Sequence, residues 1–401
     1  MIVFRGDIIS KRKLKIIFYF FIIILIFVSD AVNLQAFCIN KDKVVFYENK
    51  IHSKLSNNNQ KIIYVDDTGG ADYTKIQQAI DNSSKGDTIF VFNGTYYERL
   101  IINKTINLIG QDKNITIIDG RGDGEIVKIT SPMVFITNFT IQNSSTDNYL
   151  IDAGIYVLSE NNSIVNNNIN DIIDTGIFIA NSSYNNIKNN FIQRCGSGID
   201  IWSRYKYGKI AVKNKIENNK ITDTRYGIWV QESNKNNISN NYICETLWDG
   251  IQLIGARNNI ICHNKISKSK YRSGIYLSRA HNNILYYNNI TKNRADGITL
   301  EGSSFNIIYK NNIEKNQNGL FIYLLSLINI ISCNNFIKNK NRNAFFRNSF
   351  FNRWRNNYWD DGILLKSKIF ERFPKLITGR FRLIRPRINF DFYPVKIPYE
   401  I

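Results

Sequence analysis

From residue 154 to residue 323 the chain repeats one short pattern: a glycine, an apolar residue, a residue of variable type, and a second apolar residue. The glycines are Gly154, Gly176, Gly198, Gly227, Gly250, Gly274, Gly297 and Gly319, at steps of 22, 22, 29, 23, 24, 23 and 22 residues. The apolar pairs that follow are Ile155 and Val157, Ile177 and Ile179, Ile199 and Ile201, Ile228 and Val230, Ile251 and Leu253, Ile275 and Leu277, Ile298 and Leu300, and Leu320 and Ile322. Alternation with period two places each pair on one side of a short strand. A second register sets Asn167, Asn190, Asn219, Asn241, Asn264, Asn288, Asn311, Asn335 and Asn357 two residues before Ile169, Ile192, Ile221, Ile243, Ile266, Ile290, Ile313, Ile337 and Trp359. Short strands, no helical segment and a Gly or Asn at each corner predict an all-β solenoid, a parallel β-helix. Its coils stack at about 4.8 Å, so equivalent side chains lie above one another. Asn suits the corners because it tolerates left-handed backbone angles and its amide can bond to the coils on either side.

The pattern differs at both ends. Tyr73, Ile76, Ala79 and Ile80 fall at helical spacing and predict an amphipathic helix over about 71–82, closing the open end of the solenoid. Short strands are expected at 88–92, 105–109, 115–118, 126–129 and 134–141. Residues 338–401 hold 15 Lys or Arg against 5 Asp or Glu, four of the five Pro residues, and many aromatics, which suits a basic aromatic cap over the last coil. The expected organisation is therefore 32–61 linker, 62–337 β-helix with its capping helix, and 338–401 cap. Before them, Lys11, Arg12, Lys13 and Lys15 precede an apolar run from Ile16 to Val28, then Ser29, Asp30 and Ala31. This reads as a secretory signal over 1–31, cut after Ala31, or as an amino-terminal membrane anchor.

Composition narrows the class. The 401 residues are 43% hydrophobic and 21% charged, which excludes a disordered chain, and 57 are Asn. The net charge of +19 favours polyanionic partners. Five Cys with no CxxC spacing indicate neither a disulfide framework nor a zinc site. Ten Asn-x-Ser/Thr sequons, from Asn82 to Asn289, are glycan acceptors where the host glycosylates exported proteins.

The segment YVDDTGGADYTKIQQAI at 64–80, the Gly-Ile and Asn-Asn-x-Ile coils, and NNYWDDG at 356–362 resemble the right-handed β-helix proteins of the pectin lyase-like superfamily, nearest the NosD-type group. The resemblance spans roughly residues 62–400 and implies a right-handed β-helix. It implies a periplasmic role in supplying copper to a reductase, and more broadly carbohydrate binding and sugar cleavage. The chain departs from the copper implication. Two Met and three His (His52, His263, His281) are few soft ligands. Cys262 and Cys333 are expected in one register three coils apart, about 14 Å. No cofactor and no metal are expected.

Candidate chemistry lies on the outward positions after each glycine: Tyr156, Phe178, Asp200, Trp229, Gln252, Tyr276, Thr299 and Phe321, then Trp202, Gln231, Glu301 and Tyr323. Aromatic faces interleaved with carboxylates and amides suit a polysaccharide, whose rings stack and whose hydroxyls pair with the polar neighbours. Outward aromatics also brace sheets, so the column reads either way. Asp249 and Asp296 share a register about 10 Å apart, and Asp152 and Asp174 another about 5 Å apart. Such separations suit inverting and retaining glycosidases respectively, although surface Asp is also ordinary turn chemistry. Arg225 and Arg272, in the register of Asp152 and Asp174, suit binding a uronate or stabilising an enolate-like intermediate. The expected catalytic set is Asp200, Asp249, Asp296, Arg225 and Arg272. The expected substrate-binding set is Tyr156, Phe178, Trp202, Trp229, Gln252, Tyr276, Glu301 and Phe321. The long coil inserts Trp202, Arg204, Tyr205, Lys206, Tyr207 and Lys209 as a specificity loop. Export argues against nucleic acid as the partner. The expected function is an exported, cell-surface or extracellular protein that binds, and as a lyase or glycoside hydrolase would also cleave, an acidic polysaccharide. The competing expectation is a non-catalytic envelope protein, including a NosD-like accessory of a metalloenzyme that docks protein.

Overall fold

The structure, a computed structural model, describes residues 60–144, 152–203, 210–361, 375–380, 388–391 and 393–401. The expected signal or anchor, the linker as far as residue 59, His52, Cys38 and the inserted residues 204–209 lie outside the described residues.

The chain forms a right-handed parallel β-helix of about twelve coils. One coil shows the plan. The strands Asn237–Ser239, Tyr242–Cys244 and Ile251–Ile254 form its three faces. Each pairs in parallel and in register with the next coil, Ile238 opposite Ile261, Ile243 opposite Ile266 and Leu253 opposite Leu277. All sixteen residues of the predicted alternating pairs, from Ile155 to Ile322, are fully buried. Each such side chain contributes roughly 1.5–3 kcal/mol of transfer free energy, so every coil adds its own share of core.

Asparagines hold the corners, in two long ladders where the sequence reading found one, with a third, shorter one through Asn293, Asn316 and Asn339. In the first, the amide oxygen of Asn264 accepts from the backbone N–H of Asn241 at 2.9 Å and from its side chain at 3.0 Å. Asn264 in turn donates to the Ile238 carbonyl at 2.8 Å and to Asn288 at 3.0 Å. The second ladder runs from Asn162 through Asn185, Asn214, Asn236, Asn259, Asn283, Asn306 and Asn329 to Asn352. The first ladder passes through Asn334, not Asn335. Phe336 is therefore the inward residue at that coil, and Asn335 bonds instead to the backbone of Tyr399. The ladder asparagines do not supply the left-handed backbone. That falls one place earlier, at Asn166, Asn189, Asn218, Asn240, His263, Tyr287, Lys310, Cys333 and Asn356, with φ between 49° and 57°. The same offset separates Cys262, opposite Tyr286 on its strand, from Cys333, which stands at the corner beyond Ser332; the two do not share a register.

The glycine corner has a different cause. A Cβ on Gly227 would lie 2.3 Å from the Gly250 carbonyl oxygen and 2.5 Å from Ile243, so close approach of the next coil requires glycine there. Two coils run through this corner without a break, in the strands Asn168–Ala180 and Phe191–Trp202, and their pairing shifts register between Ile172 and Thr175.

At the amino-terminal end the helix is shorter than its periodicity predicts, Ile76–Asn82. Tyr73 bridges to Val65 in extended backbone, and the Glu98 carboxylate accepts from the N–H groups of Ile76 and Gln77 at 2.8 and 2.9 Å, which fixes where the helix begins. The expected strand over 134–141 is two, Phe135–Thr137 and Thr140–Gln142, split by the left-handed Asn138. At the other end, Asp391 is fully buried and its Oδ2 accepts from the N–H and side chain of Asn357 and from the Trp359 indole, ending the first ladder.

Replacing a mid-ladder asparagine strands several buried groups at once. Asn264→Ala is expected to cost about 3 kcal/mol or more, read as a fall in the urea midpoint, and Asn264→Asp is expected to fall too because a carboxylate cannot donate to Ile238.

Candidate functional site

The third face of the solenoid carries the predicted residues, and its exposure differs from an open ridge. Phe178, Asp200 and Gln252 are 2–3% exposed, while Tyr156, Trp202, Trp229, Tyr276, Glu301 and Phe321 are half-buried. The reason is the coil spacing: Asp200 sits directly between Phe178 and Trp229, and large neighbours one coil away close over a smaller one. Aromatic rings run continuously along this part of the face. Tyr156 stacks on Phe178 at 5.2 Å, Phe178 meets Trp202 edge-on at 5.3 Å, and Trp202 meets Trp229 at 4.9 Å. Tyr226 then links Trp229 to Trp248, and the Arg272 guanidinium lies over Trp248 at 5.1 Å.

The predicted acids occupy three different environments. Asp200 Oδ2 accepts from the Thr175 hydroxyl at 3.0 Å, whereas its buried Oδ1 has no hydrogen-bond partner among the described residues. Burial pushes its pKa up to about 7. Asp249 Oδ1 accepts from the Ser273 N–H at 2.9 Å, and Oδ2 lies 3.5 Å from the Gln252 amide and 3.9 Å from Arg272. Burial, only partly offset by Ser273 and Arg272, raises its pKa to about 7 as well. Asp296 is saturated: Thr299 donates to one oxygen at 2.8 Å and Asn318 to the other at 2.7 Å, although burial still raises it. Further along, Glu301 Oε2 accepts from the hydroxyls of both Tyr276 and Tyr323, the latter at 2.7 Å, and Phe321 stacks on Tyr323 at 4.8 Å. Burial, then the bonded carboxylate, raises Tyr276.

The structure gathers Asp200, Trp202, Trp229, Phe178 and Arg225 around one small cavity of about 60 Å³, whose lining also includes Asp174, Ser197 and Tyr226. Burial also raises Asp174, against the opposing pull of Arg225. Asp249, expected to pair with Asp296, instead contacts Arg272 outside this cavity, and Asp296, Glu301, Tyr276 and Phe321 belong to later coils. Tyr226 and Trp248 escaped the sequence reading because they precede the glycine from which the apolar alternation is counted. A second pocket of about 360 Å³ opens on that bend and shares Gly196 and Arg225 with the first.

The family profile described as periplasmic copper-binding protein (NosD) matches residues 80–244 and 205–363. The chain belongs to the NosD family. No curated protein matches it. Among solved structures, the NosD-family solenoid is similar to the Dettilon tailspike protein, with a TM-score of 0.57 and 14% identity over 73% of this chain and 65% of the tailspike. It is similar to the periplasmic alginate epimerase AlgG at TM-score 0.48 and 16% identity, over 80% and 76% of the two chains. For the A-module of the Azotobacter vinelandii mannuronan C-5 epimerase the values are 0.47 and 13%, over 80% and 88%. The likeness to the tailspike is one of fold.

The described residues do not fit the copper of the family description. Among the described residues no three His, Cys, Asp or Glu converge in a way that would hold a metal. His281 spends its Nδ1 accepting from the Ser304 N–H, and His263 stacks flat on Tyr287 at 5.1 Å.

Asp200 and Asp249, the two raised to about 7, make stability depend on pH. Their ordinary value is 3.8, so between about pH 4 and 7 the folded chain holds protons that the unfolded chain releases, and stability falls as pH rises through that window. Asp200→Asn is expected to match the parent near pH 4 and to be more stable near pH 8, by an order of a few kcal/mol. Urea unfolding at the two pH values checks this; a variant less stable at both would show that the carboxylate is favourably paired.

Proposed function

We propose that this NosD-family chain is an exported protein that binds an acidic polysaccharide along its third face, with the tightest contact at Asp200, Trp202 and Trp229. One observation carries the reading. Asp200 Oδ1, the indole nitrogens of Trp202 and Trp229, and Gln252 Oε1 are buried and, among the described residues, without hydrogen-bond partners, all on neighbouring coils of one face. A buried polar atom left unpaired costs about 1–3 kcal/mol, and folded proteins rarely leave several together unless something else pairs them. Sugar hydroxyls are donors and acceptors at once and so complete a carboxylate oxygen, an amide oxygen and two indole N–H groups alike. The adjoining rings from Tyr156 to Trp229 offer the apolar surface that pyranose C–H faces cover. The net charge of +19 draws in a polyanion. Cleavage is the finer form of this reading, with Asp200, part-protonated near neutrality, as the proton donor.

Affinity electrophoresis against neutral and uronate-bearing polymers tests it. The protein is expected to be retarded by the uronate polymers, and Trp229→Ala to lose at least about tenfold in affinity. New chain ends in the same mixtures, absent with Asp200→Asn, would make it an enzyme. Migration unchanged by every polymer overturns the reading in favour of an envelope accessory that docks protein on this face.

A further inference from the structure

Resting on the polysaccharide reading, we propose that the pocket at the bend before the glycine corner is a subsite for the carboxylate of a uronate residue, held by Arg225 and Lys270 with the Thr224 hydroxyl as the third contact. The pocket is about 360 Å³, within the range of small-ligand sites, and its lining comes from successive coils, so that it runs along the solenoid rather than around it.

Charge pairing picks out which groups are available. Arg194 lines the pocket but is committed to Asp171, with bonds of 2.6 and 2.8 Å. Glu245 lines it too and is committed to Lys268 at 2.7 Å. These two pairs cancel. Arg225 and Lys270 are exposed and, among the described residues, neither has an ion-pair partner within 4.0 Å, leaving two cations in the lining against the carboxylate of Asp223, with Asp174 and Glu245 acting on them only from beyond that distance. Thr224, beside Arg225 in the lining, is 3% exposed and its buried hydroxyl has no hydrogen-bond partner among the described residues. An unpaired guanidinium presents two parallel N–H groups that match the two oxygens of a carboxylate, and an ammonium adds a point charge that a neutral hydroxyl would not repay. Leu247 gives the pocket an apolar wall for the ring.

The position relative to the first cavity fixes the geometry of the ligand. Arg225 and Gly196 line both spaces. A sugar whose carboxylate rests on Arg225 in the larger pocket therefore extends toward Asp174 and Asp200 in the smaller one. The smaller space of about 60 Å³ admits part of a ring or an exocyclic group, not a whole residue.

Isothermal titration of the full protein with a trigalacturonate, its methyl ester and a sulfated neutral trisaccharide tests the subsite. The acid is expected to bind at least about tenfold more tightly than its ester, and the Arg225→Gln/Lys270→Gln variant to bind the two equally. Trp229→Ala is expected to weaken acid and ester alike, keeping their ratio. Equal binding of acid and ester by the parent, or a preference that survives the double substitution, overturns the subsite while leaving polysaccharide binding intact. Tighter binding of the sulfated sugar overturns the carboxylate assignment. Binding of none of the three overturns the subsite together with the reading beneath it. Because Arg225 and Lys270 are exposed and outside the core, the double variant is expected to keep the parent's urea midpoint.

Discussion

The corners of the coil are the constraint on which everything else depends. A chain that turns three times within about 23 residues leaves backbone N–H and C=O groups at each turn that no strand can pair, and the stacked coils deny them water. Asparagine answers this because one amide accepts from the coil before and donates to the coil after, as Asn264 does for Asn241 and Asn288. The bond works only when consecutive coils present the same atom at the same height. That requirement keeps the coil length nearly constant, keeps the sheets parallel and in register, and forces glycine wherever one coil's carbonyl presses into the next.

Such regularity governs the surface as well. With equivalent positions about 4.8 Å apart, a column of similar side chains covers itself, and a small residue between two large ones is sealed. Asp200 between Phe178 and Trp229 is the result: an outward carboxylate that is nonetheless buried. Chemistry gathers where the repeat is broken. The strands Asn168–Ala180 and Phe191–Trp202 run through a corner that the other coils interrupt, the pairing shifts there, and both cavities lie beside that shift.

The fold was legible in the sequence because glycine spacing and period-two alternation are both direct images of the coil. The corners were less so. Two asparagine registers share the same Asn-x-Ile spacing, and reading only one of them hid the ladder that begins at Asn162. A pair of adjacent asparagines, Asn334 and Asn335, concealed which one turns inward, since that depends on Phe336 filling the core in place of Ile337. Left-handed backbone one residue before the ladder, at His263, Tyr287 and Lys310, could not be expected from side chains that seldom adopt it; stacked neighbours impose it. The candidate site was legible by residue and not by exposure, because burial of Phe178 and Gln252 depends on the volume of their neighbours. Thr224 and Lys270 carry no signal of their own, and only the bend brings them together.

Asp391 occupies the rung where a further asparagine would stand. An asparagine there would still have an amide N–H₂ to offer, and the end of the stack would remain a template for another strand. The carboxylate has nothing to give: one oxygen takes the last rung and the Trp359 indole, the other the Tyr393 N–H at 3.2 Å. A ladder that could in principle add rungs without limit is closed at this corner by exchanging one nitrogen for one oxygen.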